Sequence, residues 1–164
     1  MCRGLSGFPD TLGRMTWWSD LVAAEPEFAA RVRARFAVRK HGTMATLRRD
    51  GSPRISGTEF DFGDDGQLRL GSMAGAVKAL DLRRDPRVAL HSPTEDAPPD
   101  DPSTWDGDAK IAGRAHEEPP AEDGSHSFRI ELTEVVLTRV GDPPDHLVIE
   151  SWHPTRGLQR RTRR

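Results

Sequence analysis

From residue 43 to residue 153 the chain reads as a succession of short runs in which apolar side chains tend to alternate with polar ones, each run cut off by a turn signal. That pattern commits most of the length to neighbouring antiparallel strands and leaves little room for strand–helix–strand units. "TMATLRRDGSPRISGTEF" is two extended runs around Asp50-Gly51, a strong hairpin signal. "DDGQLRLGS" turns at Asp65-Gly66 and points Leu68 and Leu70 the same way. "AVKALDLRR" is a short helix stopped by Pro86, since proline cannot continue a helix and biases the residue before it to extended geometry. "RVALHS" and "DAKIAGRAHE" resume strand character on either side of a proline- and acid-rich loop at residues 93–107. In "SFRIELTEVVLTRV", Phe128, Ile130 and Leu132 alternate with polar residues until the phase is lost near Glu134-Val135, which predicts a bulge or bend there. "HLVIESW" closes the series.

Helices flank this block. Thr16 is a candidate cap for a short helix with Asp20 in its first turns. "PEFAARVRARFAVRK", residues 26–40, is the clearest helix: Pro26 suits its first turn, and Phe28, Val32 and Phe36 recur every four residues. Arg31, Arg35 and Arg39 form a basic stripe on another face, either solvated or steering an anion. The expected class is mainly β with flanking helices, a closed or partly open antiparallel barrel. Residues 15–155 form one domain. Residues 1–14 have no period and read as a disordered extension, and the basic tail at 156–164, with five arginines in nine residues, is expected to fray.

Function classes fall away by absence. The near-balanced charge, a formal net of -2, argues against a nucleic-acid binder, and no basic residues interleave with aromatic ones along the strands. Cys2 is the only cysteine, so a reducing, cytoplasmic location is the default, with no membrane span expected. No two of the six histidines lie three or four residues apart, so no metal site is read; no hydrolase elbow or phosphate-binding P-loop is present, and no catalytic side chain is assigned.

What remains is an anion site. Lys78 follows a glycine-rich stretch and falls in the first turn of the short helix, where free backbone N–H groups and a point charge suit a phosphate; Gly75 lets the chain come close to a ligand. Arg54, Ser56 and Thr58 share one face of the strand after the first hairpin, and Arg54 is a candidate second contact.

The run "MATLRRDGSPRIS … GQLRLGSMAGAVKALDLRRDPRVALHS", residues 44–92, resembles the amino-terminal half of the pyridoxamine 5'-phosphate oxidase-like family of flavin- and deazaflavin-binding split β-barrels. The resemblance implies a homodimer of six- or seven-stranded barrels with the cofactor in a cleft between subunits. It implies that Arg54, Ile55 and Ser56 border the cofactor, that Ser72 and Met73 line it, and that Lys78 holds the phosphate beside Val77. The family's Ser-Arg-Lys reads Ala76-Val77-Lys78 here, so a hydroxyl and a guanidinium are missing. Glu59 stands near a family lysine, and the oxidase's carboxy-terminal substrate motif is not evident in "ESWHPTRGLQRR". Trp152 either covers the flavin ring or fills the barrel. The implied activity is FMN-dependent hydride or electron transfer to a small molecule. The alternatives are a reductase using a deazaflavin (coenzyme F-420), with the arginine stripe serving its longer anionic tail, and a non-catalytic flavin or haem binder.

Overall fold

The computed structural model describes residues 15–164, so the expected extension at 1–14 lies outside the described residues. In chain order it has α1 (Trp18–Ala24), α2 (Pro26–Ala37), β1 (His41–Leu47), β2 (Pro53–Phe62), β3 (Leu68–Ser72), α3 (Val77–Arg84), β4 (Arg87–His91), a 3-10 turn (Pro102–Thr104), β5 (Asp108–Glu117), β6 (His126–Val140), β7 (Leu147–His153) and β8 (Gly157–Arg163).

All strand pairs are antiparallel, in the order β3-β2-β1-β4-β5-β6-β7-β8, and an added β3–β6 pairing closes the first six into a barrel. The split comes from the length of β6. One of its edges runs along β5, while the other serves β3 at residues 126–129 and β7 at residues 135–140. Between those two partners the N-terminal segment fills in, with Leu132 N donating to Thr16 O at 2.7 Å. The register steps from Ala112↔Glu134 to Gly113↔Leu132, leaving Thr133 as the extra residue of a bulge next to the position where the alternation breaks.

The core gathers the inward faces of the strands, including Met44, Leu70, Leu90, Ile111, Phe128, Ile130 and Leu137, under a lid of Trp18, Leu21, Phe28, Val32 and Phe36 from α1 and α2. Helix α2 begins with Pro26 at its first turn and ends at Ala37, three residues before the expected end. In α1 the capping residue is Trp17 rather than Thr16, and Asp20 Oδ2 accepts from Trp17 N at 2.8 Å.

Two expectations change. The tail does not fray: Gly157, at φ +67, turns the chain back and β8 pairs with β7 from His153↔Gly157 to Leu147↔Arg163. Leu158 packs against the core opposite Trp152, while the arginines beyond it stay exposed, so one apolar residue and a free strand edge outweigh the charge of the tail. The arginine stripe is neither solvated throughout nor open to an anion. Arg31 grips Glu150 through two bonds of 2.6 and 2.9 Å, and Arg35, only 5% exposed, binds Glu95 at 2.6 Å and Asp106 at 3.2 Å. Arg39 alone of the three is exposed without such a pair among the described residues.

Candidate functional site

The start of α3 is open. Its capping position is Ala76, which offers no side-chain acceptor, so the first N–H groups of the helix lack the cap a serine or threonine would give. Gly75 enters at φ +71, a conformation other residues rarely adopt, and a Cβ there would meet nothing within 4 Å. Lys78 then reaches across to β2, its Nζ donating to Gly57 O at 2.8 Å. Burial pulls the Lys78 ammonium below its ordinary pKa, while the Glu59 carboxylate works in the opposite direction.

Around this ammonium lies a groove of about 470 Å³ bounded by β2, the β3–α3 turn and the start of β6. Ser72, Met73, Ala76 and Lys78 line it, with Glu59 and His41 on one wall and Ser125 and His126 on the other. Ser72 Oγ is buried and makes no hydrogen bond among the described residues. A buried hydroxyl left unpaired costs about 1–3 kcal/mol, so its presence in the groove wall fits a site completed by a ligand acceptor.

Arg54 sits beside the groove rather than in it. Its Nε donates to Asp81 Oδ2 at 2.7 Å, and Asp81, 2% exposed, also accepts from Thr46 Oγ1 at 3.0 Å and Arg84 Nη2 at 2.9 Å. Burial alone would raise the Asp81 carboxyl; the bonds from Arg84, Arg54 and Thr46 prevail and hold it below the ordinary carboxylate value. The terminal nitrogens of Arg54 make no bond among the described residues. Ser56 lies on the same face of β2, and Ile55 points the other way, 76% exposed, into a second open groove of about 410 Å³ floored by Ala45, Ala89 and Ala112. Met73 is 82% exposed, and Val77 projects outward from the first turn of α3.

The structure therefore brings together Ser72, Met73 and Lys78, places Arg54 and Val77 at their margin, and separates Ile55. Trp152 does not reach this groove within the chain. It is 4% exposed and belongs to the core, paired with Val135 and Leu158. His126 was not singled out in the sequence. The available signal was its phase: it opens the same inward alternation as Phe128 and Ile130.

The sequence profile described as pyridoxamine 5'-phosphate oxidase matches residues 28–144. The chain belongs to the pyridoxamine 5'-phosphate oxidase family. No curated protein sequence matches it. Among solved structures, a pyridoxamine 5'-phosphate oxidase-related, FMN binding protein from Nostoc punctiforme superposes with a TM-score of 0.61 at 10% identity, over 85% of this chain and 96% of that one. PhzG from Burkholderia lata, in complex with tetrahydrophenazine-1-carboxylic acid, gives 0.60 at 11% identity, over 97% and 98%. General Stress Protein 26 from Bacillus anthracis gives 0.50 at 14%, over 65% and 89%. At such identities the likeness establishes the family's barrel. Among the described residues, no group of histidine, cysteine and carboxylate side chains is placed to hold a metal, and no helix is long and apolar enough to cross a membrane.

Proposed function

We propose that this family member binds flavin mononucleotide in the Lys78 groove and serves as a cytoplasmic, FMN-dependent oxidoreductase acting on a small molecule. The observation that carries the reading is the join of a cationic side chain, an uncapped helix start and an unpaired buried hydroxyl on one groove. Ser72, Lys78 and the first N–H groups of α3 would hold the phosphate, with the free end of Arg54 close by. Met73 and the open backbone of Gly57 and Gly71, where a Cβ would meet nothing within 4 Å, give the flat surface a ring system needs. When bound, the flavin supplies the hydride or electron chemistry; the chain binds it, orients it and keeps water from it. The FMN-binding relative from Nostoc punctiforme supports this choice of cofactor.

The same reading includes a homodimer. Ile55 lines the second groove, Met73 lines the Lys78 groove, and Val77 and Leu80 are exposed apolar side chains of α3; a second copy laid over these four would bury them and cover the ring. A deazaflavin would need cations for its longer anionic tail, and with Arg31 and Arg35 taken by Glu150, Glu95 and Asp106 the stripe offers only Arg39, so FMN is preferred.

The test is direct. The purified protein is incubated with FMN, a deazaflavin and haem in turn, then desalted. Retained FMN whose absorption band is bleached by reductant is the expected result. Retention of haem alone, or of none of the three, refutes the proposal.

A further inference from the structure

A phosphate monoester carries a charge of about −1.5 to −2 near neutral pH. Lys78 supplies one positive charge to the groove, and the Glu59 carboxylate in the same wall subtracts from it. Lys40 and His41 pair with Glu59 at 3.2 and 3.1 Å, but these are exposed contacts that solvent screens. Arg54 stands beside the groove with its charge answered by Asp81, so a dianion held by Lys78 is short of a second cation within the groove itself.

The opposite wall contains one. His126 and Ser72 are partners across β3 and β6, which puts their side chains side by side on the inward face at the mouth of the barrel. His126 is 8% exposed, and its ring stacks on Phe128. Its Nδ1 lies 2.9 Å from Glu117 Oε1 on β5. Glu117 is itself clamped by Arg83 of α3 through bonds of 2.8 and 2.7 Å, and the hydrogen bond from Arg83 leads in holding that carboxyl below its ordinary pKa. The charge of Glu117 is thereby shared, and an imidazolium leaning on it keeps a net positive charge. Nε2 of His126 makes no bond among the described residues. The neighbouring Glu118 does not compete, because it is bound to Arg69 and Ser127.

We propose that His126 is the second cation of this site: in its doubly protonated form it donates from Nε2 to the phosphate that Lys78 holds, with Glu117 and Arg83 fixing the ring in place. The inference rests on the reading that the groove takes a flavin phosphate, and it makes the grip on that phosphate dependent on protonation of an imidazole.

The experiment compares the parent protein with His126→Gln in titrations with FMN and with riboflavin, which lacks the phosphate, at about pH 6 and about pH 8, the range where imidazoles change charge. The phosphate's own titration is common to both proteins and cancels in their ratio. The expected result is an FMN affinity about tenfold weaker in the variant at the lower pH, a smaller gap at the higher pH, and riboflavin affinity unchanged at both. A parallel NMR titration of the parent with inorganic phosphate should move the His126 ring signals, and Lys78→Ala should abolish that shift. An FMN-to-riboflavin preference that is the same in both proteins at both pH values, or ring signals that phosphate leaves in place, overturns the role of His126 while the flavin reading stands. Phosphate-dependent ring shifts in a protein that binds no flavin keep His126 as an anion ligand and sink the flavin reading instead.

Discussion

The carboxylate of Asp81 ties the first turns of α3 to the barrel, and its removal is the sharpest test of how the site is built. It lies at the meeting point of Thr46 on β1, Arg54 on β2 and Arg84 at the end of α3, and its side chain is 3% exposed. Asp81→Asn keeps the shape and removes the charge, leaving two guanidinium groups without a counterion. Breaking a buried pair costs about 3–5 kcal/mol. Arg54 and Arg84 retain 25% and 36% exposure, and water on their outer sides sets the expectation at the lower end, about 3 kcal/mol. For a domain of this size that is a fall in Tm of about 6–12 °C, read by circular dichroism near pH 7. The sign with pH follows from the depressed carboxyl. Its stabilisation is fully present above the unfolded pKa, near 3.8, and disappears as pH falls through the lower folded value. Parent and variant should therefore converge in strong acid. A Tm loss under about 2 °C near neutrality, or a gap that stays constant down to the acid limit, would refute the claim that this carboxylate holds the helix to the sheet.

Lys78→Ala should weaken FMN binding about tenfold or more in a fluorescence titration, because a hydrogen bond to a charged group contributes roughly 1.5–3 kcal/mol; equal affinities would remove Lys78 from the site. Light scattering at micromolar concentration should report a dimer, and Ile55→Glu with Met73→Glu should convert it to a monomer; a parent that is already monomeric contradicts the proposed interface. Deleting residues 157–164 uncovers Trp152 and strips the pairing from β7, so a truncated protein that unfolds at the parent's temperature would contradict the role given to β8.

The barrel was legible because its signals are local. Asp50-Gly51 makes a hairpin with the residues beside it, Pro86 ends α3 whatever surrounds it, and the broken phase after Leu132 marks the bulge left by Thr133. What escaped depends on partners far along the chain. Arg31 meets Glu150 and Arg35 meets Glu95 and Asp106, contacts that no window of sequence contains. The same holds for β8, where Gly157 and Leu158 carried the strand signal but the run of arginines around them looked like solvent-loving tail. For the site, Lys78 was readable from the order of glycine turn and helix, whereas Ser72 came only with the family resemblance. The part played by Asp81 in orienting Arg54, and the position of His126 across from Ser72, required the register of strands joined through the closed sheet.

The sheet does not close at its last strand. Beyond the barrel, β8 pairs only with β7 among the described residues, so its outer N–H and C=O groups form an open template to which another chain could add itself, were it not for Arg160, Arg161 and Arg163. A like molecule approaching with its own β8 would set guanidinium against guanidinium. The protein thus guards against fibre-like growth by electrostatic repulsion, a safeguard that concentrated salt or a polyanion would dissolve.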